Sequence, residues 1–366
     1  MRLEELELRR ISLPLVTPFR TSFGTQVERD ALVVAARTDA GVGWGECTAL
    51  TWPGYSSEWI DGAQEVIRRF LVPLLGGDDL TADRFHRRVA GVVGHPMAKA
   101  ALELALLDAE LRAGGTSLRD RLGGSRDRVE VGVSVGITDT LAELVDLVAG
   151  YVDDGYTRVK LKIEPGWDLE PVRAVRERWP ELRLQVDANT AYGPGDLDHL
   201  AGLDAFDLLL IEQPFPEDDL LTHRALARHI ATPVCLDESI TSLAVTATAI
   251  ELGACSVVNI KPGRIGGYLP SAAIHDLCRA AGVAVWCGGM LETGIGRAAN
   301  LALASLPGFT LPGDISGTAR YYHHDVTAPF VVEGGTLPVP TGPGIGVDVD
   351  AEALAAATTS VEVLRP

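Results

Sequence analysis

The first fifty residues alternate between apolar and polar positions with a period of two, which is typical of β-strands. Residues 3–12 alternate in this way, and residues 31–47 form two apolar runs that a turn signal at residues 39–41 joins. Apolar positions then recur at helical spacing over residues 57–72, 81–90 and 96–113. The chain therefore begins with a predicted α+β unit, and a stretch rich in glycine and charge at 114–128 marks its end.

From there the pattern changes to short apolar runs that alternate with amphipathic helical segments. Eight such runs are present, at residues 130–135, 158–163, 182–188, 207–213, 233–238, 256–262, 283–289 and 309–314. Strands that alternate with helices form right-handed βαβ units with a parallel sheet, and eight units close into a (β/α) barrel of the TIM type. An open, doubly wound sheet is the alternative. The Pro- and Gly-rich tail, with a strand-like run at 329–335, is expected to pack back on the N-terminal unit.

Composition and charge narrow the possible partners. The chain of 366 residues is 46% hydrophobic and carries a formal charge of −18, so a phosphate surface would repel it. We therefore expect neither nucleic acid nor a membrane as partner, and a small carboxylate substrate remains compatible because a bound cation can reverse the local sign. No apolar stretch is long enough for a membrane span or a secretory signal, which predicts a cytoplasmic protein, and we expect a homo-oligomer. Five cysteines without close pairing favour buried thiols over disulfides or zinc.

An acidic residue stands at the end of three consecutive apolar runs. Asp187, Glu212 and Asp237 follow one another at steps of 25 residues, about one βα unit. The acids are therefore expected at the same height on neighbouring strands, at the C-terminal mouth where barrel active sites lie. Three converging carboxylates repel one another unless a cation lies between them, and all-oxygen ligation favours Mg²⁺, or Mn²⁺ in its place, over zinc. The alternative is that each acid only caps the following helix.

Lysines occupy unusual positions in the same strands. Lys160 and Lys162 share one face of the second run, since residues two apart in a strand point the same way, and that face is the barrel interior. Two neighbouring, partly desolvated ammonium groups are expected to lower the pKa of at least one, as a general base near neutral pH requires. Lys261 ends the sixth run, so Lys162 and Lys261 are expected on opposite faces of a bound substrate. Solvated lysines in salt bridges at the barrel rim are the alternative.

Six segments around these strand ends carry a family resemblance: VKLKIEPGWD (159–168), LQVDANTAY (184–192), LLLIEQP (208–214), PVCLDESI (233–240), VNIKPGRIGGY (258–268) and WCGGMLETGIGRAAN (286–300). Together they resemble the enolase superfamily, muconate-lactonising-enzyme subgroup, and within it the o-succinylbenzoate synthase / N-acylamino acid racemase family. The N-terminal PFRTSFGT (18–25) is similar to the family's substrate-capping loop. The resemblance implies an α+β capping domain made from both chain ends, and we predict parts at 1–127, 128–319 and 320–366 for the capping domain, the barrel and the C-terminal segment.

The resemblance also implies roles for individual residues. Asp187, Glu212 and Asp237 match the Mg²⁺ ligands, and Asn189 and Glu238 would support them. Lys162 and Lys261 match the two bases, and Lys160 the neighbour that tunes Lys162. The residues expected around the substrate are Ser134, Phe19, Phe23, Tyr55, Arg264, Gly289, Met290 and Glu292. Arg264, three residues after Lys261, would lower the pKa of Lys261 or form a salt bridge in the loop.

The implied chemistry removes the proton beside a substrate carboxylate, with Mg²⁺ and Lys160 stabilising the resulting ene-diolate. Where a β-hydroxyl is present, Lys162 returns its proton to the leaving oxygen, and the product is o-succinylbenzoate. Without a leaving group, Lys261 protonates the opposite face and an N-acylamino acid, such as an N-succinylamino acid, is racemised. The expectation is an o-succinylbenzoate synthase of the menaquinone pathway with racemase activity. A dedicated racemase is the alternative, ahead of a dipeptide epimerase, a muconate cycloisomerase or a catalytically dead binding protein.

Two further motifs match patterns of other protein classes, but their positions in the chain argue against those functions. Residues 132–136 fit the serine-hydrolase pattern G-x-S-x-G, but that pattern needs a helix that starts at the serine, and the helix signal comes later, at 138–139. Residues 294–299 fit the dinucleotide pattern G-x-G-x-x-A, but late in the chain and without the acidic residue that should follow. A helix start near the substrate explains the second motif better.

Overall fold

The computed structural model describes residues 1–22 and 24–366, so Phe23, predicted to bind substrate, lies outside the described residues. The strands are β1 Leu3–Thr21, β2 Gly24–Thr38, β3 Gly41–Cys47, β4 Arg128–Glu130, β5 Val133–Val135, β6 Arg158–Lys162, β7 Arg183–Asp187, β8 Ile211–Glu212, β9 Val234–Leu236, β10 Val257–Ile260, β11 Ala284–Cys287, β12 Thr336–Pro338 and β13 Thr358–Leu364. The α-helices are α1 Ile60–Val66, α2 Ala82–Arg88, α3 Pro96–Gly114, α4 Leu118–Leu122, α5 Leu141–Asp153, α6 Leu169–Arg178, α7 Leu197–Leu200, α8 Leu220–His229, α9 Leu243–Leu252, α10 Pro262–Ile265, α11 Tyr268–Ala281, α12 Gly294–Ala304 and α13 Ala351–Ala357. A π-helical turn, Ile67–Leu71, continues α1, and 3₁₀ turns lie at Val72–Leu74, Pro194–Asp196, Ala201–Phe206 and Thr318–Arg320. None of the helices in this described part of the chain has the length and apolarity needed to cross a bilayer.

Both ends of the chain build one antiparallel sheet with the order β13-β1-β2-β3. The last strand pairs with the first from Leu6 opposite Leu364 to Ile11 opposite Thr358. The tail therefore packs back on the N-terminal unit, as the sequence predicts. The exact division of the chain at residues 127 and 319 stays a prediction.

Helix α3 is buried between this sheet and the barrel. Its alanines allow the backbones to come close: a Cβ added at Gly43 or Gly45 of β3 would lie 2.1 Å from the carbonyl oxygens of Ala105 and Ala101. Two of the glycines in the sequence run GVGWGEC therefore serve helix–sheet contact, which closes the core of the capping domain.

The N-terminus of α3 lacks a capping side chain of its own, since His95 in the N-cap position has a φ of 54° and makes no side-chain cap hydrogen bond. Glu58 from a distant loop takes that role and accepts hydrogen bonds from the backbone N–H groups of Met97 at 2.7 Å and Ala98 at 3.2 Å. Burial outweighs these two bonds and raises the pKa of Glu58 to about 7.

The Glu58→Gln substitution is expected to remove a pH-dependent contribution to stability. Because the folded pKa lies above the unfolded value, the folded state holds the proton more tightly, and the stability present at low pH is lost as pH rises through the folded pKa near 7. Between about pH 5 and pH 8, the wild-type protein should lose roughly 2 kcal/mol of unfolding free energy relative to the variant. Urea unfolding of both proteins across this range measures the difference, and a difference independent of pH would contradict the assignment.

The second sheet contains seven parallel strands in the order β11-β10-β9-β8-β7-β6-β5, so each strand neighbours the next in sequence. Helices that follow the strands cover the sheet, as βαβ units require. The residues between strands and helices bury a continuous apolar cluster that also includes one face of β1 and β2. This is the (β/α) barrel that the alternation of runs predicts, and the open doubly wound alternative is wrong.

Two of the predicted strands do not form as such. Residues 309–314 make only isolated bridges, from Phe309 to Val285 of β11 on one side and from Gly313 to Val131 beside β5 on the other. Pro312 has no N–H to donate, so this segment spans the gap between the two edge strands without becoming a regular ladder. The run at 329–335 ends in a turn, where Gly334 and Gly335 have φ values of 56° and 72°. The nearby strand is β12, which pairs with β4.

The tip of the β1–β2 hairpin reaches the mouth of the barrel. At the tip, Phe19 pairs with Gln26 and Thr21 with Gly24. The carbonyl oxygen of Arg20 accepts a hydrogen bond from Ile137 N at 3.1 Å, and Ser22 Oγ donates to Asn189 O at 3.3 Å. The segment predicted to cap the substrate thus lies over the strand ends.

Candidate active site

The charged side chains at the strand ends lie next to one another in register. Lys162 pairs with Asp187 across β6 and β7, and Asp187 pairs with Glu212 across β7 and β8. Glu212 is then opposite Cys235, so Asp237 lies two residues further along the next strand. Strands in a barrel are tilted and staggered, which brings such positions together. The prediction of equal height is right for the first two acids, and stagger displaces the third.

The three carboxylates are fully buried, and lysines contact each of them. Lys160 Nζ lies 3.0 Å from Asp187 and 2.9 Å from Glu212. Lys162 Nζ lies 2.6 Å from Asp187 and donates to Asn189 Oδ1 at 2.5 Å. Because Lys160 and Lys162 are only 2% and 8% exposed, they are interior groups, and the alternative of solvated lysines at the rim is wrong.

The carboxylates keep two of the lysines charged. Burial acts to lower the pKa of Lys160, but three surrounding carboxylates outweigh it and hold the pKa well above its usual value. Burial likewise acts to lower the pKa of Lys261, but Asp237, Tyr55 and Glu212 together outweigh it, so this pKa is also raised. Arg264 acts in the lowering direction that the sequence suggests, but Asp237 is the stronger influence. For these two lysines, the expectation that neighbouring cations dominate the pKa is wrong in this arrangement.

Tyr55 and Arg264 complete the surroundings of Asp237. Arg264 Nη1 forms an ion pair with Asp237 and donates to Tyr55 Oη at 2.8 Å. Lys261 Nζ lies 2.7 Å from Asp237 and 4.7 Å from the centre of the Tyr55 ring. The salt-bridge alternative for Arg264 is therefore the observed one, and Tyr55 from the capping domain contacts the barrel lysine directly.

The three carboxylates suit a hard divalent cation, although neighbouring cationic side chains contact their oxygens. Among residues 1–22 and 24–366, no three acidic, histidine or cysteine side chains form a group arranged to hold a metal ion. Lysine ammonium groups take the carboxylate oxygens instead. Burial, followed by repulsion from Asp187, raises the pKa of Glu212 well above its usual value, so this carboxylate needs a nearby cation to stay ionised. Oxygen-only donors on three adjacent strands fit Mg²⁺ chemistry.

The two predicted supporting residues, Asn189 and Glu238, form a hydrogen-bond chain that ends at Asp187. Asn189 N donates to Asp187 Oδ1 at 3.1 Å, and Asn189 Nδ2 donates to Glu238 Oε1 at 2.9 Å. Burial and the negative charge of Asp237 raise the pKa of Glu238 to about 8. Glu238 Oε2 is buried and has no hydrogen-bond partner among the described residues, an arrangement that leaves one acidic oxygen beside the site uncompensated.

One cavity brings the predicted bases together beneath the hairpin tip. Its lining includes Lys162 and Lys261, which come from strands four positions apart in the sheet. The other lining residues are Phe19, Thr21, Gln26, Leu50, Tyr55, Asn189, Gly289, Met290 and Leu291. Sequence reasoning missed Thr21, Gln26, Leu50 and Leu291, since only the hairpin and loop conformations bring them here. We call this space the lysine cavity.

Other predicted substrate residues lie around the lysine cavity without lining it. Ser134 offers its backbone oxygen to Arg320 at 3.0 Å. Glu292 accepts a hydrogen bond from Met290 N at 2.8 Å and holds the loop that lines the cavity. Arg264 and Glu238 line a neighbouring pocket between barrel and capping domain. Direct substrate contact by Ser134, Glu292 and Arg264 stays a prediction, as does the supporting role of Glu238 at the metal site.

Gly288 is required by the close approach of Lys261. A Cβ at this position would lie 2.6 Å from Lys261 Cε and 2.3 Å from Asn259 Oδ1. We expect the Gly288→Ala protein to fold but to lose about 100-fold in kcat, because a displacement of about 1 Å at a reacting group has effects of this size. The matched control is Gly150→Ala, where the added Cβ meets nothing within 4 Å. Steady-state kinetics of both variants test this expectation, and an equal kcat for the two would contradict the role of Gly288 in making room for Lys261.

Backbone strain concentrates at the same mouth. Asn189, Thr190, Gln213 and Leu291 have φ values of 42°, 67°, 37° and 56°, in a region that costs free energy for residues other than glycine. Tyr322 Oη donates to the carbonyl oxygen of Leu291 at 2.5 Å, and Gln213 Oε1 accepts from Asp237 N at 2.9 Å. These contacts hold strained residues in place beside the lysines.

The structure adds two polar residues that sequence reasoning missed. Asp314 lies 2.5 Å from Lys160 Nζ and 2.6 Å from Arg158, and Asn259 Nδ2 donates to Glu212 Oε1 at 2.7 Å. Both had a readable signal. Asp314 ends the eighth apolar run just as the other acids end theirs, and Asn259 lies two residues before Lys261 on the same strand face.

The two rejected motifs have structural explanations. The helix after Ser134 begins only at Leu141, behind a capping box formed by Thr140 and Glu143, so no nucleophile elbow exists there. Helix α12 does begin at Gly294, but the carboxylate of Asp325 accepts from Gly294 N at 2.9 Å and that of Glu46 accepts from Thr293 N. The protein's own carboxylates occupy the place of a phosphate.

Comparison with known proteins supports the family resemblance described from the sequence. Residues 143–353 match the enolase C-terminal domain-like family, and residues 5–123 match the mandelate racemase / muconate lactonizing enzyme N-terminal domain. The chain is 61% identical over 345 residues to the N-succinylamino acid racemase of Amycolatopsis sp., covering 94% of each chain. It is 43% identical over 346 residues to the o-succinylbenzoate synthase of Geobacillus stearothermophilus, covering 94% of this chain and 92% of the relative.

A solved structure agrees over the full length. An enolase superfamily member from Listeria innocua Clip11262 superposes with a TM-score of 0.96 at 38% identity, covering 100% of this chain and 99% of that one. The fold, the order of charged residues at the strand ends and these matches lead to one conclusion: the chain belongs to the enolase superfamily, with the two-domain organisation of the mandelate racemase / muconate lactonizing enzyme group.

Proposed function

We propose that this protein removes the proton beside a substrate carboxylate and works as an o-succinylbenzoate synthase that also racemises N-succinylamino acids. The observation that carries the proposal is that Lys162 and Lys261 enter one cavity from strands four positions apart. Amines that face each other across a substrate can address both faces of one carbon. The names of the two relatives, a synthase and a racemase, support this pairing of activities.

In this proposal, Asp187, Glu212 and Asp237 hold Mg²⁺, or Mn²⁺ in its place. The bound ion supplies positive charge beside the substrate carboxylate, which makes the neighbouring C–H bond more acidic. Lys160 can give up its contacts with Asp187 and Glu212, because the carboxylate of Asp314 lies 2.5 Å from Lys160 Nζ and still pairs with its charge. Asn189 positions Asp187 through its backbone N–H, and Glu238 in turn holds the side chain of Asn189.

The chain's own residues then divide the proton transfers. Lys162 removes the α-proton from one face, and Lys160 stays near the developing negative charge. When the substrate has a β-hydroxyl, Lys162 returns its proton to the leaving oxygen, and Lys261 serves as a cation. When no leaving group is present, Lys261 delivers a proton to the opposite face and the configuration is inverted. The hairpin tip with Phe19 excludes water from the lysine cavity.

A dedicated N-succinylamino acid racemase is the second candidate. The 61% identity to the racemase of Amycolatopsis sp. favours it, as does the burial of both lysines to a similar degree, with exposed fractions of 8% and 6%. A dedicated synthase needs only one proton-transferring lysine, whereas a racemase needs both.

A comparison of kcat/KM with Mg²⁺ for the two substrate classes tests the proposal. We expect measurable dehydration to o-succinylbenzoate together with racemisation of N-succinyl amino acids, the two values lying within about 100-fold of each other, since the same groups serve both reactions. Racemisation without detectable dehydration would favour the dedicated racemase. Absence of both reactions and of α-proton exchange would end the proposal.

A further inference from the structure

A second cavity, of about 440 Å³, lies between the end of α5, the strand β1 and the C-terminal segment. It shares no lining residue with the lysine cavity. Its walls include Tyr151, Tyr156, Phe330 and Val331, together with the guanidinium-bearing residue Arg320. The size is ample for a small organic molecule, and the walls combine aromatic rings with one cation.

Arg320 is buried without a carboxylate partner. Its residue is 9% exposed, its Nη2 donates to Ser134 O at 3.0 Å, and its Nε has no hydrogen-bond partner within residues 1–22 and 24–366. Over the same residues, no Asp or Glu lies within ion-pair distance of Arg320, whereas the buried Arg158 and Arg264 each contact one. The cost of removing this charge from water is therefore offset only in part.

The Nε atoms of two other buried arginines, Arg29 and Arg297, likewise have no hydrogen-bond partner among the described residues, but both side chains make more hydrogen bonds than Arg320 does. Arg29 and Arg297 also lack a carboxylate partner, but each donates through two nitrogens to backbone carbonyl oxygens. Arg320 makes one such bond. Its guanidinium carbon instead lies 5.0 Å from the ring centres of both Tyr151 and Tyr321. These rings stabilise the cation but accept no hydrogen bond in the plane of the guanidinium, where a carboxylate would bind.

We propose that this cavity binds a small monocarboxylate with an apolar, preferably aromatic, body, with the carboxylate on Arg320. The rings of Tyr151, Tyr156 and Phe330 match an apolar body, and a planar guanidinium matches a carboxylate. Asp154, exposed at the same cavity, would repel a second carboxylate. The site therefore discriminates against dicarboxylates, the class to which N-succinylamino acids belong, and the ligand is a different molecule from the proposed substrate.

The test uses isothermal titration calorimetry on the full chain in EDTA, without substrate, so that it is independent of the proposed function. The probes are 3-phenylpropionate, its neutral amide 3-phenylpropanamide and the dicarboxylate phenylsuccinate. We expect 3-phenylpropionate to bind with a Kd on the order of 0.1–1 mM and the other two at least about tenfold more weakly. Equal affinity for acid and amide, or no binding of the acid at about 5 mM, would overturn the proposal.

Two variants locate the site. Arg320→Gln removes the cation, and Val331→Trp places a ring in the cavity from a residue that is 62% exposed, so the fold is retained. Both should lose at least about tenfold in affinity for 3-phenylpropionate, while the control Val93→Trp, at a residue 89% exposed and outside the cavity, should bind as the wild type does. If Arg320→Gln does not fold, the affinity of Val331→Trp for 3-phenylpropionate alone decides whether the ligand binds in this cavity. Unchanged binding by Val331→Trp would overturn the assignment to this cavity.

Discussion

In D₂O, the Lys261→Ala protein is expected to exchange the α-proton of only one enantiomer of an N-succinylamino acid and to interconvert neither. The reason is geometric: Lys162 and Lys261 enter the lysine cavity from strands four positions apart, so we expect each to reach one face of the α-carbon. Removal of one lysine leaves the other able to take and return a proton on its own face. Racemisation should fall at least about 1,000-fold, within the range attributed to a positioned acid or base.

The Lys162→Ala protein is the mirror-image case and should exchange only the other enantiomer. The matched control is Lys99→Ala, which removes the one lysine of this chain that does not stand at the end of a barrel strand and should leave both exchange and racemisation in place. Proton NMR follows exchange, and polarimetry follows racemisation. Exchange of the same enantiomer by both site variants would show that the lysines do not occupy opposite faces.

Exhaustive chelation is expected to abolish turnover of both substrate classes, and addition of Mg²⁺ or Mn²⁺ to restore it. The expectation follows from three buried carboxylates on adjacent strands, one of which has a raised pKa because burial and its acidic neighbours oppose its charge. Calorimetric titration with Mg²⁺ provides a readout that does not depend on activity. The Glu212→Gln protein should bind Mg²⁺ at least about tenfold more weakly than the wild type, because it lacks one of the hard anionic ligands.

The matched control for this measurement is Glu217→Gln, which changes an acid in the pocket beside the site but leaves the three proposed ligands intact. It should bind Mg²⁺ as tightly as the wild type. Full turnover after complete removal of divalent cations, or equal Mg²⁺ affinity for Glu212→Gln and Glu217→Gln, would contradict the assignment of the metal ligands.

The periodic part of the architecture was predictable because it depends on local pattern. Seven of the eight apolar runs form strands, and charged residues follow them at steps close to one βα unit. A further signal lies in the composition: only four of the 32 basic residues are lysines, and three of those four stand at strand ends. The pKa of a lysine amine responds to its surroundings, whereas arginine stays protonated, so this usage is compatible with proton transfer.

The failures have equally specific causes. The eighth run does not become a strand because Pro312 removes a donor that a ladder needs. Its last residue, Asp314, follows the strand-end pattern of the other acids, but that pattern does not show that Asp314 contacts Lys160. The expected depression of lysine pKa values did not appear for Lys160 and Lys261 because the same acids that attract a metal also pair with the lysines. A one-dimensional pattern shows which charges share a strand end but not which of them touch.

The barrel, the order of its acids and lysines, and the family to which they point were readable from the amino-acid pattern, because strand and helix periods and strand-end positions are local properties. The folded chain was needed to show which residues close the lysine cavity, which carboxylate each lysine contacts, and that Glu58 caps a helix 38 residues away in sequence. These contacts join residues distant along the chain, and their geometry depends on how the capping sheet sits on the barrel, which no local pattern encodes.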